Sequence, residues 1–121
     1  LEHPPLVRDP PELPQFVRAE LAAHGPSHLD TWAALERATR VSEKAGRWEE
    51  MEMAARMLHR FTEETQAEAE VVVKPVTHAE YVHGVGPAED KLLKVSSHAS
   101  RYMGLATQAL ARAMEGQDQL E

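Results

Sequence analysis

Apolar and small side chains recur every three to four residues along the middle of the chain, and this spacing constrains the fold more than any other feature. The series occupies the following positions: Trp32, Leu35, Ala38, Ser42, Ala45, Trp48, Met51, Ala55, Leu58, Thr62, Thr65 and Ala69. Alternating steps of three and four residues place side chains on one face of an α-helix, as in helices that pack along a single seam. The spacing therefore predicts helix on both sides of Gly46.

Gly46 lies in the middle of this pattern and admits two interpretations. A glycine inside a helix costs only about 1 kcal/mol relative to alanine, so the segment could form one long bent helix. A helix that ends at Gly46 would instead give the two arms of a helical hairpin. The hairpin is the preferred prediction, and the bent helix is its alternative.

Proline and glycine residues divide the N-terminal part of the chain. Residues 1–13 are predicted to form a proline-rich arm, because proline resists helix formation and favours extended backbone. A short first helix is predicted to begin at Pro14 and to end at Gly25. Ser27 is predicted to cap the second helix, with Asp30 three residues later in an imperfect capping box.

The second half of the chain contains its only strand-like stretch, residues 71–77, which holds a cluster of valines. A proline within it restricts this stretch to a sheet edge or to plain extended chain. Residues 78–86 contain two glycines and are predicted to form a loop. Pro87 then begins another helix in its first turn.

Glycines also punctuate the C-terminal region. Gly104 is expected to interrupt the helix that begins at Pro87. Thr107 is placed to cap a short final helix over residues 108–115, and Gly116 to end it.

The predicted fold class is therefore all-α. It comprises a short N-terminal helix, a long helical hairpin, a loop or extended segment, and one long plus one short C-terminal helix. Residues 14–116 are predicted to form a single domain, which suits a chain of 121 residues. Residues 117–121 are predicted to be a tail, and its final Leu-Glu pair is typical of a cloning remnant.

The composition limits both the chemistry and the location of the protein. The chain has no cysteine, so disulfides and cysteine-based zinc sites are excluded, and a reducing compartment such as the cytoplasm (the host cytoplasm for a viral protein) is expected. No apolar run reaches the roughly 18 residues of a membrane helix, so no membrane association is expected. The net charge of −7 argues against a protein that coats nucleic acid with its whole surface.

Catalytic and metal-binding patterns are incomplete. His78 and Glu80 copy part of a zinc-deaminase motif, but that motif also requires cysteines. His78 and His83 are five residues apart instead of the four that place two ligands on one helix face. His59 and Glu63 are most simply an exposed i, i+4 helix pair. No nucleophile elbow or phosphate loop occurs. The chain is therefore predicted to be no enzyme and to hold no cofactor and no metal.

Two series of basic residues have the same spacing of three, four and three residues. The first comprises Arg37, Arg40, Lys44 and Arg47, and the second comprises Lys91, Lys94, His98 and Arg101. Either series could lay cations along a DNA phosphate backbone. The alternative is an ordinary solvated face, because Glu36–Arg40, Glu43–Arg47 and Asp90–Lys94 can form i, i+4 ion pairs.

The third predicted helix carries more apolar surface than one seam requires. Met53, Met57 and Phe61 lie off the main series, and Trp48 begins the helix. A helix with two apolar faces often packs on two neighbours, one of which can be another copy of the chain. These four residues are therefore candidates for an oligomer interface.

The C-terminal third resembles the small subunits of phage terminases, which are DNA-packaging adaptors. The resemblance lies in Gly84-Val85-Gly86-Pro87, then Gly104-Leu105-Ala106-Thr107, then the Ala/Arg-rich run from Gln108 to Ala113. The order of a proline-rich arm, a short helix and a long hairpin is also similar. Gly86 replaces an asparagine of the family pattern, and Gln108 replaces a proline.

This resemblance implies a homo-oligomeric ring that binds double-stranded viral DNA and regulates the large terminase subunit, an ATPase and nuclease. It implies no catalytic residue in this chain. The alternative function is a helical interaction module that self-associates or docks a partner helix, without nucleic acid.

Overall fold

The computed structural model describes residues 13–73 and 87–119, and regular structure within these ranges is entirely helical. The helices are α1 (Gln15–His24), α2 (Leu29–Ala45), α3 (Trp48–Val73) and α4 (Pro87–Gln119). The predicted all-α fold is confirmed. None of these described helices has the length and apolarity needed to cross a bilayer.

The turn between α2 and α3 is the predicted hairpin, and Gly46 makes it. Gly46 has a φ of 73° and a ψ of 21°, in the left-handed region that glycine enters without steric cost. The amide of Gly46 donates to the Glu43 carbonyl, and the amide of Arg47 donates to the Ser42 carbonyl at 2.8 Å. These two bonds form a Schellman motif, which ends a helix and reverses the chain. The single bent helix is thereby excluded.

The N-terminal helices begin close to the predicted positions, but with a different cap. The Pro14 carbonyl accepts hydrogen bonds from the amides of Val17 and Arg18 at the start of α1. At α2, His28 takes the capping role predicted for Ser27, because its Nδ1 accepts from the Asp30 amide at 3.0 Å. The Ser27 hydroxyl instead forms a hydrogen bond with the Thr65 hydroxyl of α3, and the two oxygens lie 2.9 Å apart.

The longest helices form the centre of the bundle. α3 packs against both α2 and α4, and α1 packs on α2. Tyr102 of α4 contacts Trp32 near the start of α2, and Arg112 contacts Glu43 near its end. α2 and α4 therefore run in the same direction, with α3 antiparallel to both.

The core combines a few large side chains with many alanines. Trp32, Leu35, Met51 and Leu58 are fully buried. The surface that α4 turns inward carries the buried residues Ala99, Ala106, Ala109 and Ala113. Small side chains let helix axes approach closely, so the α4 face is predominantly a van der Waals contact with α3.

Buried threonines belong to this core although they interrupt its apolar pattern. Thr31, Thr39, Thr62 and Thr65 are all 2% exposed or less. The hydroxyls of Thr62 and Thr65 donate to carbonyls one turn earlier on α3, both at 2.8 Å. Every buried side-chain nitrogen and oxygen of the described residues has a hydrogen-bond partner. The hydroxyls are therefore buried without an unsatisfied polar group.

The C-terminal prediction of a long helix followed by a short one is wrong. α4 continues without interruption through Gly104 and through Gly116 to Gln119. The Thr107 hydroxyl donates to the Met103 carbonyl at 2.9 Å, so it is bonded within the helix and does not cap a new one. Packing along α3 offsets the roughly 1 kcal/mol that a helical glycine costs.

The end of α3 also differs from the prediction. Residues 71–73 are helical, because α3 extends to Val73, whereas a strand-like segment was predicted from residue 71. Residues 1–12, 74–86 and 120–121 lie outside the described residues. All of the proline-rich arm except Leu13, the rest of the predicted extended segment and the predicted loop fall there, together with His78, Glu80 and His83.

Candidate functional site

The basic residues predicted on α2 lie on its solvent-facing side. Arg37, Arg40 and Lys44 are exposed, whereas Ala34, Leu35, Ala38 and Ser42 on the same helix are buried. The 3.6-residue helical period separates the two sets, so the cationic face points away from the core. Residues 36–47 contain four basic and two acidic side chains, a local charge of +2 in a chain of −7.

Two contacts hold this face in place. The Arg40 guanidinium lies 2.9 Å from the Glu36 carboxylate, one turn earlier. Arg37 places its guanidinium carbon 5.1 Å from the centre of the Phe16 ring of α1, in a cation–π contact. The predicted Glu36–Arg40 pair is thus present. Because both arginines are exposed, these contacts leave the charges accessible from solvent.

Arg47 does not continue the α2 face as the spacing predicted. The Schellman turn at Gly46 takes Arg47 out of α2, and its guanidinium lies 3.4 Å from Glu50 of α3. Glu43, the predicted partner of Arg47, instead accepts a hydrogen bond from Arg112 of α4 at 2.7 Å. The predicted Glu43–Arg47 pair is therefore wrong, and Glu43 joins α2 to α4.

The second basic series lies on α4. Arg101 is exposed and places its guanidinium carbon 5.4 Å from the centre of the Tyr102 ring. Since Tyr102 contacts Trp32, Arg101 lies level with the start of α2, while the first series occupies its second half. Lys91 and Lys94 are helical positions of α4 whose side chains are outside the described part.

The four candidate interface residues on α3 all have partners or partial cover within the chain. Phe61 is only 8% exposed and belongs to the main core. Met57 packs against that core, and Trp48 packs against a second cluster with Met51 and Ala113. Met53 is half-buried. Met51 and Ala55 of the main series cluster with Ala109 and Ala113 of α4, a packing that the sequence pattern did not reveal. An interface between copies through these residues remains a prediction.

Trp48 occupies a notch in α4 at Gly116. Gly116 is buried, and a Cβ atom placed on it would overlap the Cδ2, Cε2 and Cε3 atoms of the Trp48 ring. Only glycine leaves room for the indole there. Gly116 therefore acts in packing and does not end the helix as predicted.

A polar contact lies beside this notch. The Gln117 side chain donates to the Glu52 carboxylate at 2.7 Å, and Arg56 donates to the same carboxylate at 2.9 Å. The hydrogen bond from Gln117, assisted by Arg56, lowers the pKa of Glu52 below its ordinary value. Gln117 was predicted to belong to the tail, but it ties the end of α4 to the first turns of α3.

His59 and Glu63 form the exposed i, i+4 pair that the sequence indicated. His59 Nδ1 lies 3.4 Å from the Glu63 carboxylate, and both side chains are substantially exposed. Within residues 13–73 and 87–119, this pair is not part of a larger group with metal-ligand geometry.

Sequence reasoning missed a cluster at the corner between α1 and α2. His24, His28 and Asp30 each place a potential ligand atom within 4.8 Å of the others. The imidazole rings of His24 and His28 stack at 4.1 Å between centroids, with an angle of 14° between their planes. A His-x-x-x-His-x-Asp spacing across Gly25 and Pro26 was the available signal, but the spacing is meaningful only once the corner is known.

Two large apolar side chains remain substantially exposed among the described residues. Val41 is 47% exposed and Met114 is 49% exposed. Val41 lies four residues after Arg37 and three before Lys44, which places it on the same face of α2. Apolar and basic surface therefore occur together on this face of α2.

Comparisons with models of protein families, with curated proteins and with solved structures find no match to this chain. The resemblance to terminase small subunits therefore rests on the sequence motifs alone.

Proposed function

We propose that this chain is an oligomeric DNA-packaging adaptor, similar to phage terminase small subunits, which binds double-stranded DNA and regulates a large ATPase/nuclease subunit. The observation that supports it best is the solvent-facing side of α2, where Arg37, Arg40 and Lys44 are exposed in a chain of net charge −7. The motif resemblance supplies the packaging role, and α2 supplies the surface that would contact DNA.

The ion pair on α2 does not prevent this role. Arg40 is 65% exposed in its contact with Glu36, and exposed ion pairs contribute only about 0–1 kcal/mol. A phosphate can replace the carboxylate as the partner of Arg40 at little energetic cost. Lys44 lies one turn further along the same face and can contact a neighbouring phosphate.

Oligomerisation is part of the proposal because one protomer offers few cations. Three phosphate contacts per protomer would give a slope of roughly −2.7 in a plot of log affinity against log salt. A ring would repeat the α2 face and multiply the number of contacts, while the acidic remainder of each protomer faces elsewhere. Binding would be salt-dependent and largely independent of DNA sequence.

The test measures the binding of double-stranded DNA across a range of salt concentrations. Arg40→Ala combined with Lys44→Ala removes two cations from the face, so the salt slope should decrease by about two for each protomer in contact with DNA. Arg18→Ala combined with Arg60→Ala is the matched control, because both residues are exposed and the change in net charge is the same. Unchanged slope in the first variant, or an equal loss in the control, would remove α2 from the interface.

Light scattering coupled to size-exclusion chromatography tests the oligomeric part of the proposal. A large closed assembly supports the adaptor. A monomer at working concentrations contradicts it, whatever the result with DNA.

A second candidate function is a helical module that binds protein alone. The exposed Val41 favours it, because an apolar side chain surrounded by polar ones is the arrangement of a protein interface. A dimer without DNA affinity would support this candidate. Val41→Lys should then dissociate the dimer, whereas for the adaptor it should leave DNA binding intact or strengthen it.

A further inference from the structure

The corner between α1 and α2 brings together four potential metal ligands from two helices. His24 and Glu20 lie in the last turns of α1, whereas His28 caps α2 and Asp30 lies in its first turn. His24 Nε2 lies 3.3 Å from Glu20 Oε2 and 3.5 Å from Asp30 Oδ2. His28 Nδ1 lies 3.9 Å from the same Asp30 oxygen.

These separations are close to those between ligands of a tetrahedral metal ion. With metal–ligand bonds of about 2.0–2.1 Å, neighbouring ligand atoms of a tetrahedral zinc site are about 3.3–3.4 Å apart. The contacts that His24 Nε2 makes to Glu20 and Asp30 meet this requirement within about 0.2 Å. The other two ligands have to move. Glu20 lies outside the group of ligand atoms within 4.8 Å of one another, and the His28 ring, which stacks on that of His24, has to turn so that its Nδ1 lone pair meets the same ion.

The backbone beneath this group is fixed by buried side chains. The Thr31 hydroxyl donates to the Gly25 carbonyl at 2.7 Å, and the Trp32 indole nitrogen donates to the Pro26 carbonyl at 2.7 Å. Thr31 and Trp32 are themselves fully buried. The backbone that carries these side chains is therefore held in place, and the exposed side chains can turn toward an ion without refolding the corner.

We propose that His24, His28 and Asp30, with Glu20 as the fourth ligand, form a binding site for a divalent transition metal ion, of which Zn²⁺ is the best fit. Two imidazoles and two carboxylates suit zinc and its neighbours in the first transition series, whereas Mg²⁺ and Ca²⁺ prefer sites made of oxygen alone. The two carboxylates balance the charge of a divalent ion. The ion would connect the end of α1 to the start of α2.

Coordination changes two existing contacts. His24 Nε2 now contacts the Glu20 and Asp30 carboxylates directly, and a bound ion would lie between the nitrogen and these oxygens. At His28, the Nδ1 lone pair accepts the Asp30 amide at 3.0 Å, so binding through Nδ1 replaces that capping hydrogen bond with a metal bond. The Asp30 amide therefore reports on metal binding at this site.

The experiment titrates Zn²⁺ into protein without a histidine tag and follows it by calorimetry and by NMR. We expect the first equivalent of Zn²⁺ to bind and to shift the imidazole resonances of His24 and His28 and the amide resonance of Asp30. Mg²⁺ at the same concentration should shift none of them. Absence of Zn²⁺ binding, or an equal response to Mg²⁺, would overturn the proposal.

Variants of the proposed ligands, compared with a control pair of histidines, identify which residues bind the ion. His24→Gln and His28→Asn should each weaken binding of the first equivalent by more than about tenfold, since the loss of outer-shell groups alone costs that much. Asparagine retains a side-chain oxygen that caps α2, so His28→Asn removes the ligand without removing the cap. His78→Gln combined with His83→Gln is the control and should leave the first equivalent unchanged. Retained affinity in His24→Gln or in His28→Asn, or loss in the control pair, would contradict the assignment.

Discussion

Gly104 and Gly116 lie on the same helix, and the structure predicts opposite outcomes for the same substitution at these two positions. A Cβ atom on Gly104 meets no heavy atom within 4 Å. Gly104→Ala should therefore stabilise the protein by about 1 kcal/mol, the difference in helix propensity between the two residues. At Gly116, a Cβ atom would overlap the Trp48 ring, and overpacking of this kind costs about 1–3 kcal/mol.

Both substitutions gain the same helix propensity. The difference between their free energies of unfolding therefore isolates the steric cost at Trp48. We expect Gly116→Ala to be less stable than Gly104→Ala by about 1–3 kcal/mol. For a domain of this size, each kcal/mol corresponds to roughly 4 °C in Tm. Urea unfolding followed by circular dichroism gives the free energies of unfolding.

Tryptophan fluorescence identifies the cause of the difference. Trp32 is fully buried and distant in sequence from the substitution, so a red shift in Gly116→Ala would report displacement of Trp48 into solvent. Equal stability of the two variants, or a more stable Gly116→Ala, would refute the notch between α3 and α4.

Two further predictions concern the hairpin turn and Glu52. Gly46→Ala should destabilise the protein by about 1–2 kcal/mol in urea unfolding, because alanine is strained at a φ of 73°; an unchanged midpoint would contradict the turn geometry. The lowered pKa of Glu52 means that its stabilising contribution is present above the ordinary pKa of glutamate and is lost as pH falls through the lowered value. Gln117→Ala should raise this pKa in an NMR titration and reduce the loss of stability in acid; an unaltered titration would show that Gln117 does not contact Glu52 in solution.

The hairpin was predictable because its determinants are local. The apolar period identified the faces of α2 and α3, and Gly46 could end a helix by adopting the left-handed conformation. The exposed position of Arg37, Arg40 and Lys44 follows from the same period. An apolar period therefore predicts both that a segment is helical and which of its faces is exposed to solvent.

The errors arose where tertiary packing outweighs local preference. Gly104 and Thr107 have the residue types of a helix break, but α4 continues because its alanine face packs along α3. The valines at residues 71–73 favour strands in isolation, yet they continue α3. The His24 cluster was not predictable for a different reason: it depends on how the corner folds back, which no periodic pattern records.

The notch at Gly116 also has a consequence for the register between the two longest helices. Ala99, Ala106 and Ala113 are all buried and lie seven residues apart along α4. If α4 slid by seven residues, about 10 Å, Ala99 and Ala106 would take the places of Ala106 and Ala113, and Tyr102 would take the place of Ala109. Gly116 breaks this equivalence, because Ala109 would then face Trp48 and its methyl group would occupy the space of the ring. Gly116 and the residues around Ala109 thus give a partly repetitive surface one preferred alignment.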